Sequence, residues 1–274
     1  MNKIRTSADR LYQFASIMIP GAFIFGVFQF PLKVPIAIPV TATVTAGEIV
    51  SEREALELAE AFFGLDADAK ETRKAIDKQI TFVSSRKAYS ASLSVVQKHE
   101  ATIKREAAQK NVPEDVALGV ALLENGGSDT AVSSAGALGV FQLMPGTARS
   151  LGLTVNKKSD ERRNPSANIE AGVRYLRSNF DRFGDWGLAT WAYHAGEGNV
   201  SKALKIYAKA NHNVNLAGVK KPGEIRAFVE KYGITIHKLL SDPSVKQFTR
   251  KLNDDSSGYP YKVIATATLF KEAK

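Results

Sequence analysis

The stretch Val116-Ala-Leu-Gly-Val-Ala-Leu-Leu-Glu124 decides how this chain is interpreted, because an unbroken apolar run ends there on a carboxylate. Asn125-Gly-Gly127 follows directly, and glycine is a common stop for helices. The sequence therefore predicts a mostly buried helix that delivers Glu124 into a glycine-rich turn. Burial disfavours the charged form of a carboxyl group and raises its pKa, so Glu124 would remain an acid near neutral pH. The alternative is a surface glutamate in the last turn of an ordinary helix.

The rest of the chain is also typical of helices. Asn111-Val-Pro-Glu-Asp115 has the features of a helix start, with a cap candidate, a proline in the first turn and two acids at the positive helix end. No convincing series of alternating apolar residues predicts strands. The predicted fold class is therefore all-α, with further helices over Ala91 to Gln109, Leu138 to Leu151, Ile169 to Phe183, Gly187 to Ala195 and Val200 to Ala210.

Three ordered blocks around Glu124 carry a family resemblance. They are Ser133-Ser-Ala-Gly-Ala-Leu-Gly-Val-Phe-Gln-Leu-Met-Pro-Gly-Thr147, Asn164-Pro-Ser-Ala-Asn-Ile-Glu-Ala-Gly-Val-Arg-Tyr-Leu176 and Ala192-Tyr-His-Ala-Gly-Glu-Gly-Asn-Val200. Together they resemble the motifs of the lysozyme-like soluble lytic transglycosylase (SLT) family, which is related to goose-type lysozyme. The first motif is matched in register by Glu124, Ser133, Gly136, Gly139, Gln142, Met144, Pro145 and Thr147.

The chain also departs from the family pattern. Asn125 stands where a serine usually follows the catalytic glutamate, and Gly126-Gly127 replaces a stretch that often carries an aromatic residue. His194 stands where asparagine is commoner, although a histidine variant is also familiar in the superfamily. These departures affect contacts with the substrate and leave the acid in place.

The resemblance implies an α-rich, lysozyme-like catalytic domain that acts as a peptidoglycan lytic transglycosylase. Such an enzyme breaks the β-1,4 bond between N-acetylmuramic acid (MurNAc) and N-acetylglucosamine (GlcNAc) without water. Glu124 would first be the general acid and then the general base that closes a 1,6-anhydro ring, with no cofactor. The implied substrate-binding set is Ser133, Gln142, Met144, Tyr193 and His194. Within this set, Met144 is expected to serve packing rather than chemistry.

The four histidines are scattered and have no metal-ligand spacing, so no metal site is predicted.

Two segments compete for the position that closes the cleft in this family. Glu224-Ile-Arg-Ala-Phe-Val229 resembles a segment that supplies a cleft carboxylate. Asp254-Asp-Ser-Ser-Gly-Tyr-Pro-Tyr-Lys-Val-Ile-Ala265 resembles another version, in which Asp255 and two serines precede a closing helix. We favour the second segment, because Val263 to Phe270 supplies the helix.

Two other functions remain open at the level of sequence. A goose-type lysozyme-like hydrolase would need an acid that positions water, and Asp129 is the near candidate. A non-catalytic wall-binding scaffold would keep the fold and bind an envelope machine. Retention of Glu124 together with Ser133, Gln142 and Tyr193 argues against the scaffold.

The composition of the chain indicates which classes of partner it is expected to bind. A net charge of +9 favours anionic partners such as wall polymers or phospholipid headgroups. The basic residues are scattered and not interleaved with aromatic residues, which argues against nucleic acid. The chain has no cysteine, which excludes disulfides, thiol catalysis and a lipid-modified cysteine anchor.

The amino-terminal segment predicts export. Residues Leu11 to Leu32 carry no charge and follow basic residues, so they fit an inner-membrane helix of ~20 residues. A cleaved signal peptide is the alternative, with Val44-Thr-Ala46 as a late cleavage site. Either interpretation places the catalytic part in the periplasm. The predicted organisation is an anchor or signal with its stem (1–47), a helical spacer that is a candidate partner site for envelope machinery (48–90) and the catalytic domain (91–274).

Overall fold

A computed structural model describes residues 46–64, 70–219, 221–252 and 256–274 of the chain. The chain divides into two compact units, Met1–Thr43 and Val44–Lys274, and every described residue belongs to the second. The predicted anchor or signal segment, 11–32, lies outside the described residues. No helix within the described ranges combines the length and apolar character needed to cross a membrane.

The described residues form helices joined by turns, short 3-10 segments and isolated bridges between single residue pairs, with no extended strand. The all-α prediction is therefore confirmed for this part of the chain. The helices are α1 (Ala46–Phe63), α2 (Lys70–Ser84), α3 (Tyr89–Gln109), α4 (Glu114–Glu124), α5 (Pro145–Ser150), α6 (Pro165–Phe183), α7 (Trp186–Ala195), α8 (Glu197–His212), α9 (Pro222–Tyr232), α10 (Ile236–Ser241), α11 (Pro243–Thr249) and α12 (Tyr259–Glu272).

Helix α4 is the centre of the core. Every residue from Val116 to Leu122 is buried, so this short helix is covered on all sides, mainly by α3 and α12. Helix α12 is buried from Tyr259 to Phe270, apart from two partly exposed positions. Thr266 fixes the contact between the two helices, because its Oγ1 donates to the carbonyl of Gly119 at 2.7 Å. The closing helix predicted over Val263 to Phe270 is confirmed as α12.

The predicted spacer packs into the same unit as the predicted catalytic residues. Helix α1 contacts α7 and α12, and α2 lies along α12. Both helices bury apolar side chains, among them Ala59, Phe63 and Ile76. Residues of the 48–90 segment thus help to enclose the helix that covers α4.

One predicted helix is wrong over half of its length. The segment Leu138 to Leu151 is helical only in α5, and its first half is a loop. Gly139 and Gln142 adopt positive φ angles of 90° and 43°, which a right-handed helix does not allow. Gly139 has no alternative, because a Cβ there would lie 2.3 Å from Nδ2 of Asn168.

Gly119→Ala tests the contact between α4 and α12. A Cβ at Gly119 would lie 2.6 Å from the carbonyl oxygen of Val263, so the two backbones would have to separate. We expect a loss of about 1–3 kcal/mol in unfolding free energy by urea denaturation, as is typical of overpacking. The control is Gly146→Ala in α5, where the added Cβ meets nothing within 4 Å. Equal stability of the two variants would contradict the close contact.

Candidate active site

Glu124 is the last residue of α4, and its carboxyl group is held by a residue 135 positions later in the sequence. Its Oε1 accepts a hydrogen bond of 2.6 Å from the hydroxyl of Tyr259, the first residue of α12. Asn125, the C-cap of α4, is buried, and its side-chain amide donates to the carbonyls of Ala121 and Ser92. The turn after the acid is therefore anchored to its own helix and to α3.

The pKa of Glu124 is raised, as expected from the sequence. Burial raises it, and three effects oppose that rise: the hydrogen bond from Tyr259 and the positive charges of Arg86 and Lys262. Desolvation outweighs these three effects. The carboxyl group is therefore more easily protonated than an ordinary glutamate, while the donors around it support the ionised form once the proton has left.

The ring of Tyr259 packs against His194. The imidazole of His194 stacks on the tyrosine ring with centroids 4.4 Å apart and 15° between the planes. His194 thus contacts the residue that holds the acid. Tyr259 was not predicted to be a site residue, although it lies in the 254–265 segment that resembles the family's closing segment. Its position at the start of a helix that closes on the acid was the available signal.

Tyr193 lies beside the acid but directs its hydroxyl to the backbone. The hydroxyl donates to the carbonyl of Phe141 at 2.5 Å, and the ring packs on Tyr175 with centroids 5.1 Å apart. Tyr175 in turn donates to Glu197 at 3.2 Å. Burial, and then the charge of Glu124, raise the pKa of Tyr193 well above its usual value, so the hydroxyl keeps its proton. Tyr193 therefore ties the loop before α5 to α7.

Two buried polar side chains hold the loop before α5 in place. Neither was predicted from the sequence to have a role. The Asn168 side chain accepts from the Phe141 amide at 2.8 Å and donates to the Leu138 carbonyl at 2.9 Å. Arg162 donates from Nη1 to the carbonyls of Gly136 and Leu143, both at 2.8 Å, while its other nitrogens bind Asp160. A loop without regular structure thus has its polar backbone groups satisfied by side chains.

Ser133 and Gln142 make hydrogen bonds within the same loop. Ser133 Oγ accepts from the amide of Ala137 at 3.0 Å. The Gln142 amide nitrogen donates to the carbonyls of Ala131 at 2.9 Å and Gly139 at 3.0 Å. Both side chains therefore shape the loop, and their contact with a substrate stays a prediction.

A groove of about 240 Å³ lies between the loop and α7, and Glu124 is not among the residues that line it. The groove is connected to the acid through His194, which lines it and stacks on Tyr259. Met144 lines it and is 43% exposed, which places the thioether at the surface of the groove. Four of the five predicted substrate-binding residues meet here, while Ser133 does not line the groove. The lining residues are Gln142, Leu143, Met144, Thr147, Tyr175, Tyr193, His194, Ala195 and Gly196.

The other candidate carboxylates lie in different surroundings. Asp129 accepts hydrogen bonds from Lys98 at 2.7 Å and His99 at 3.1 Å, which hold its pKa below the usual range. Glu224 is exposed in the first turn of α9, a helix that packs on α6. Asp255 lies outside the described residues. Within the described ranges, no group of three or more metal-ligating side chains is present.

The geometry is accompanied by a sequence match to a known domain family. The family model described as "Transglycosylase SLT domain" matches residues 101–215, which include Glu124, the loop and α7. Residues 101–215 are therefore similar to the transglycosylase SLT domain family. This segment, called the SLT domain from here on, does not include α1, α2 or α12.

Two curated proteins with similar sequences are also named transglycosylases. The chain is 39% identical over 118 residues to a "Transglycosylase" of Enterobacteria phage PRD1, covering 42% of each chain. It is 31% identical over 124 residues to "Membrane-bound lytic murein transglycosylase D" of Escherichia coli K12, covering 45% of this chain and 27% of that one. The chain thus spans less than half of the length of these curated relatives.

Among solved structures, the chain is similar to the 70 kDa soluble lytic transglycosylase of Escherichia coli, with a TM-score of 0.44 and 17% identity over 80% of this chain and 32% of that one. An inactive mutant of the lytic transglycosylase Slt from Pseudomonas aeruginosa gives a TM-score of 0.40 and 19% identity, over 81% and 35%.

Asn168→Ala tests the anchoring of the loop. The substitution leaves the Phe141 amide and the Leu138 carbonyl without their partner, and each unsatisfied buried group costs about 1–3 kcal/mol. We expect a lower melting temperature by calorimetry. The control is Asn215→Ala, because that exposed side chain bonds only the nearby Ala217 amide. A melting temperature as high as that of the control would contradict this role of Asn168.

Proposed function

We propose that the chain is a peptidoglycan lytic transglycosylase that cleaves the MurNAc–GlcNAc β-1,4 bond and leaves a 1,6-anhydro-MurNAc end. The observation that supports this most is the carboxyl group of Glu124, which has a raised pKa and is joined through Tyr259 to His194 in the wall of a groove within an SLT domain. Relatives named as a transglycosylase and as a membrane-bound lytic murein transglycosylase support the same reaction class.

In the proposed first step, Glu124 protonates the glycosidic oxygen as the bond to the anomeric carbon breaks. Most glycosidases stabilise the resulting positive charge with a second carboxylate. Here the N-acetyl group of the substrate takes that part. Desolvation of Glu124 favours the protonated form that this step requires.

In the second step, the ionised Glu124 removes the proton from the muramyl 6-hydroxyl, which attacks the anomeric carbon and closes the ring. No water is consumed. The hydrogen bond from Tyr259 and the charges of Arg86 and Lys262 stabilise the carboxylate between the two steps. A site that supports both protonation states suits a residue that is first an acid and then a base.

The proposed substrate contacts follow from the groove. Met144 and Tyr193 present apolar surface to the sugar rings, and Gln142 and His194 present polar groups at its walls. Ser133 is proposed to act through the loop that it shapes. We keep the periplasm and an amino-terminal inner-membrane anchor as the proposed location, and envelope machinery as the proposed partner of the 48–90 segment.

Glu124→Gln tests the acid. We expect release of anhydro-muropeptides from purified sacculi, measured by mass spectrometry, to fall at least ~10²–10⁴-fold. The control is Asp129→Asn, which removes the other nearby carboxylate but should leave turnover within about threefold, because Lys98 and His99 already engage Asp129. Reducing ends in place of anhydro ends would instead indicate a hydrolase, and no cleavage by the wild-type chain would indicate a binding protein.

Tyr259→Phe tests the hydrogen bond that holds the acid. Because that bond favours the ionised carboxylate, its loss should raise the pKa of Glu124 further. The descending limb of the kcat/KM pH profile, where the acid loses its proton, should move to higher pH, and kcat should fall about tenfold.

Tyr261→Phe is the matched control for this change, since its hydroxyl lies on the same helix but contacts His237 at 3.3 Å. Only Tyr259→Phe should shift the pH profile of kcat/KM. An unshifted profile in both variants would mean that Tyr259 does not act on the acid.

A further inference from the structure

A wall of the site lies outside the SLT domain, in the turn between α2 and α3. A Cβ added to Gly127 would lie 3.0 Å from Cβ of Ala91 and 3.7 Å from Cβ of Ala88, so the turn after Glu124 abuts the start of α3. The amide of Asn125 bonds the carbonyl of Ser92, which fixes that contact. Ala88, at the end of the turn between α2 and α3, therefore borders the turn that follows the acid.

Arg86 places a positive charge in this wall. Its side chain is exposed, and within the described residues its guanidinium has no hydrogen-bond or ion-pair partner. The charge is nevertheless close enough to Glu124 to lower the pKa of that carboxyl group. A guanidinium near an acid that it does not pair with is available to a ligand, and its fork of donors matches a carboxylate.

Phe82 and Lys262 extend the wall. Phe82 on α2 is 49% exposed and is one of three large hydrophobic side chains that are exposed among the described residues. The ammonium of Lys262 lies 5.2 Å from the centroid of its ring. Lys262 is three residues after Tyr259 on α12, so both residues lie on the same face of that helix. Phe82, Arg86 and Lys262 together form a patch, here called the basic aromatic patch, on the Tyr259 side of the acid.

We propose that the basic aromatic patch is a subsite for a carboxylate-bearing part of the glycan strand, with Arg86 binding the carboxylate and Phe82 packing on an adjoining sugar face. The proposal rests on the proposed function, since it assumes that the groove holds a glycan. Two sources supply such a carboxylate in peptidoglycan: the lactyl group of MurNAc when no peptide is attached, and the acidic residues of a stem peptide.

Binding to the inactive chain tests the subsite without turnover. The full-length Glu124→Gln protein is titrated by calorimetry with three probes: a chitooligosaccharide, which has no carboxylate, peptide-free muramyl glycan, and peptide-bearing glycan. Adding Arg86→Gln should weaken binding of a carboxylate-bearing probe about three- to tenfold and leave the chitooligosaccharide unchanged. Adding Phe82→Ala should weaken all three, because the ring contacts the sugar.

Lys87→Gln is the matched control. It removes the same charge from the neighbouring exposed position, so any effect of net charge alone should appear in both variants. Loss confined to peptide-free glycan identifies the lactyl carboxylate, and loss confined to peptide-bearing glycan identifies the stem peptide. Unchanged binding of every probe by Arg86→Gln, or equal losses in Arg86→Gln and Lys87→Gln, would overturn the proposal.

The result is separable from the proposed reaction. If the wild-type chain forms no anhydro ends but Arg86→Gln still discriminates between the probes, the reaction is wrong and the subsite stands. If anhydro ends form and Arg86→Gln does not discriminate, the subsite is wrong and the reaction stands. Arg86 has no partner within the described residues, so its substitution should leave the melting temperature unchanged.

Discussion

The hydrogen bond from Tyr259 to Glu124 joins residues 135 positions apart, and the site depends on it. It forms only because α12 packs directly on α4, where Gly119 allows the backbone of Val263 to approach. The same packing buries α4 and desolvates the carboxyl group that ends it. The packing of α12 on α4 therefore accounts both for the buried core helix and for the raised pKa of Glu124. The helix that closes the core also determines how readily Glu124 gains and loses its proton.

The loop before α5 is stabilised in a different way. It has almost no regular structure, yet Asn168 and Arg162 satisfy its backbone from inside the protein. Tyr193 adds a third fixed point through the carbonyl of Phe141. A loop held in this way can present Met144 to a groove without losing much conformational entropy when a ligand binds. The motif residues around it are thus explained as much by the shape of the loop as by contact with a sugar.

Much of this arrangement was predictable from the sequence, and the failures have physical reasons. The apolar run before Glu124 predicted a buried helix ending on an acid, because the apolar composition of the run and the glycines that stop it are local features of the sequence. The helix predicted over residues 138–151 was wrong in its first half, because the distant Asn168 lies against Gly139 and holds the backbone of Leu138 and Phe141 in a loop. Tyr259 was missed for the same reason, since its partner Glu124 lies 135 positions earlier in the sequence.

An NMR titration of the Glu124 side-chain carboxyl carbon, assigned by comparison with Glu124→Gln, tests the central claim most directly. Burial against α12 is the largest influence on this group and outweighs the hydrogen bond from Tyr259 and the nearby positive charges. The account predicts that the pKa of Glu124 lies above the value of 4.5 typical of a free glutamate. A pKa at or below that value would contradict it, because the carboxyl group would then be ionised at neutral pH like any surface glutamate.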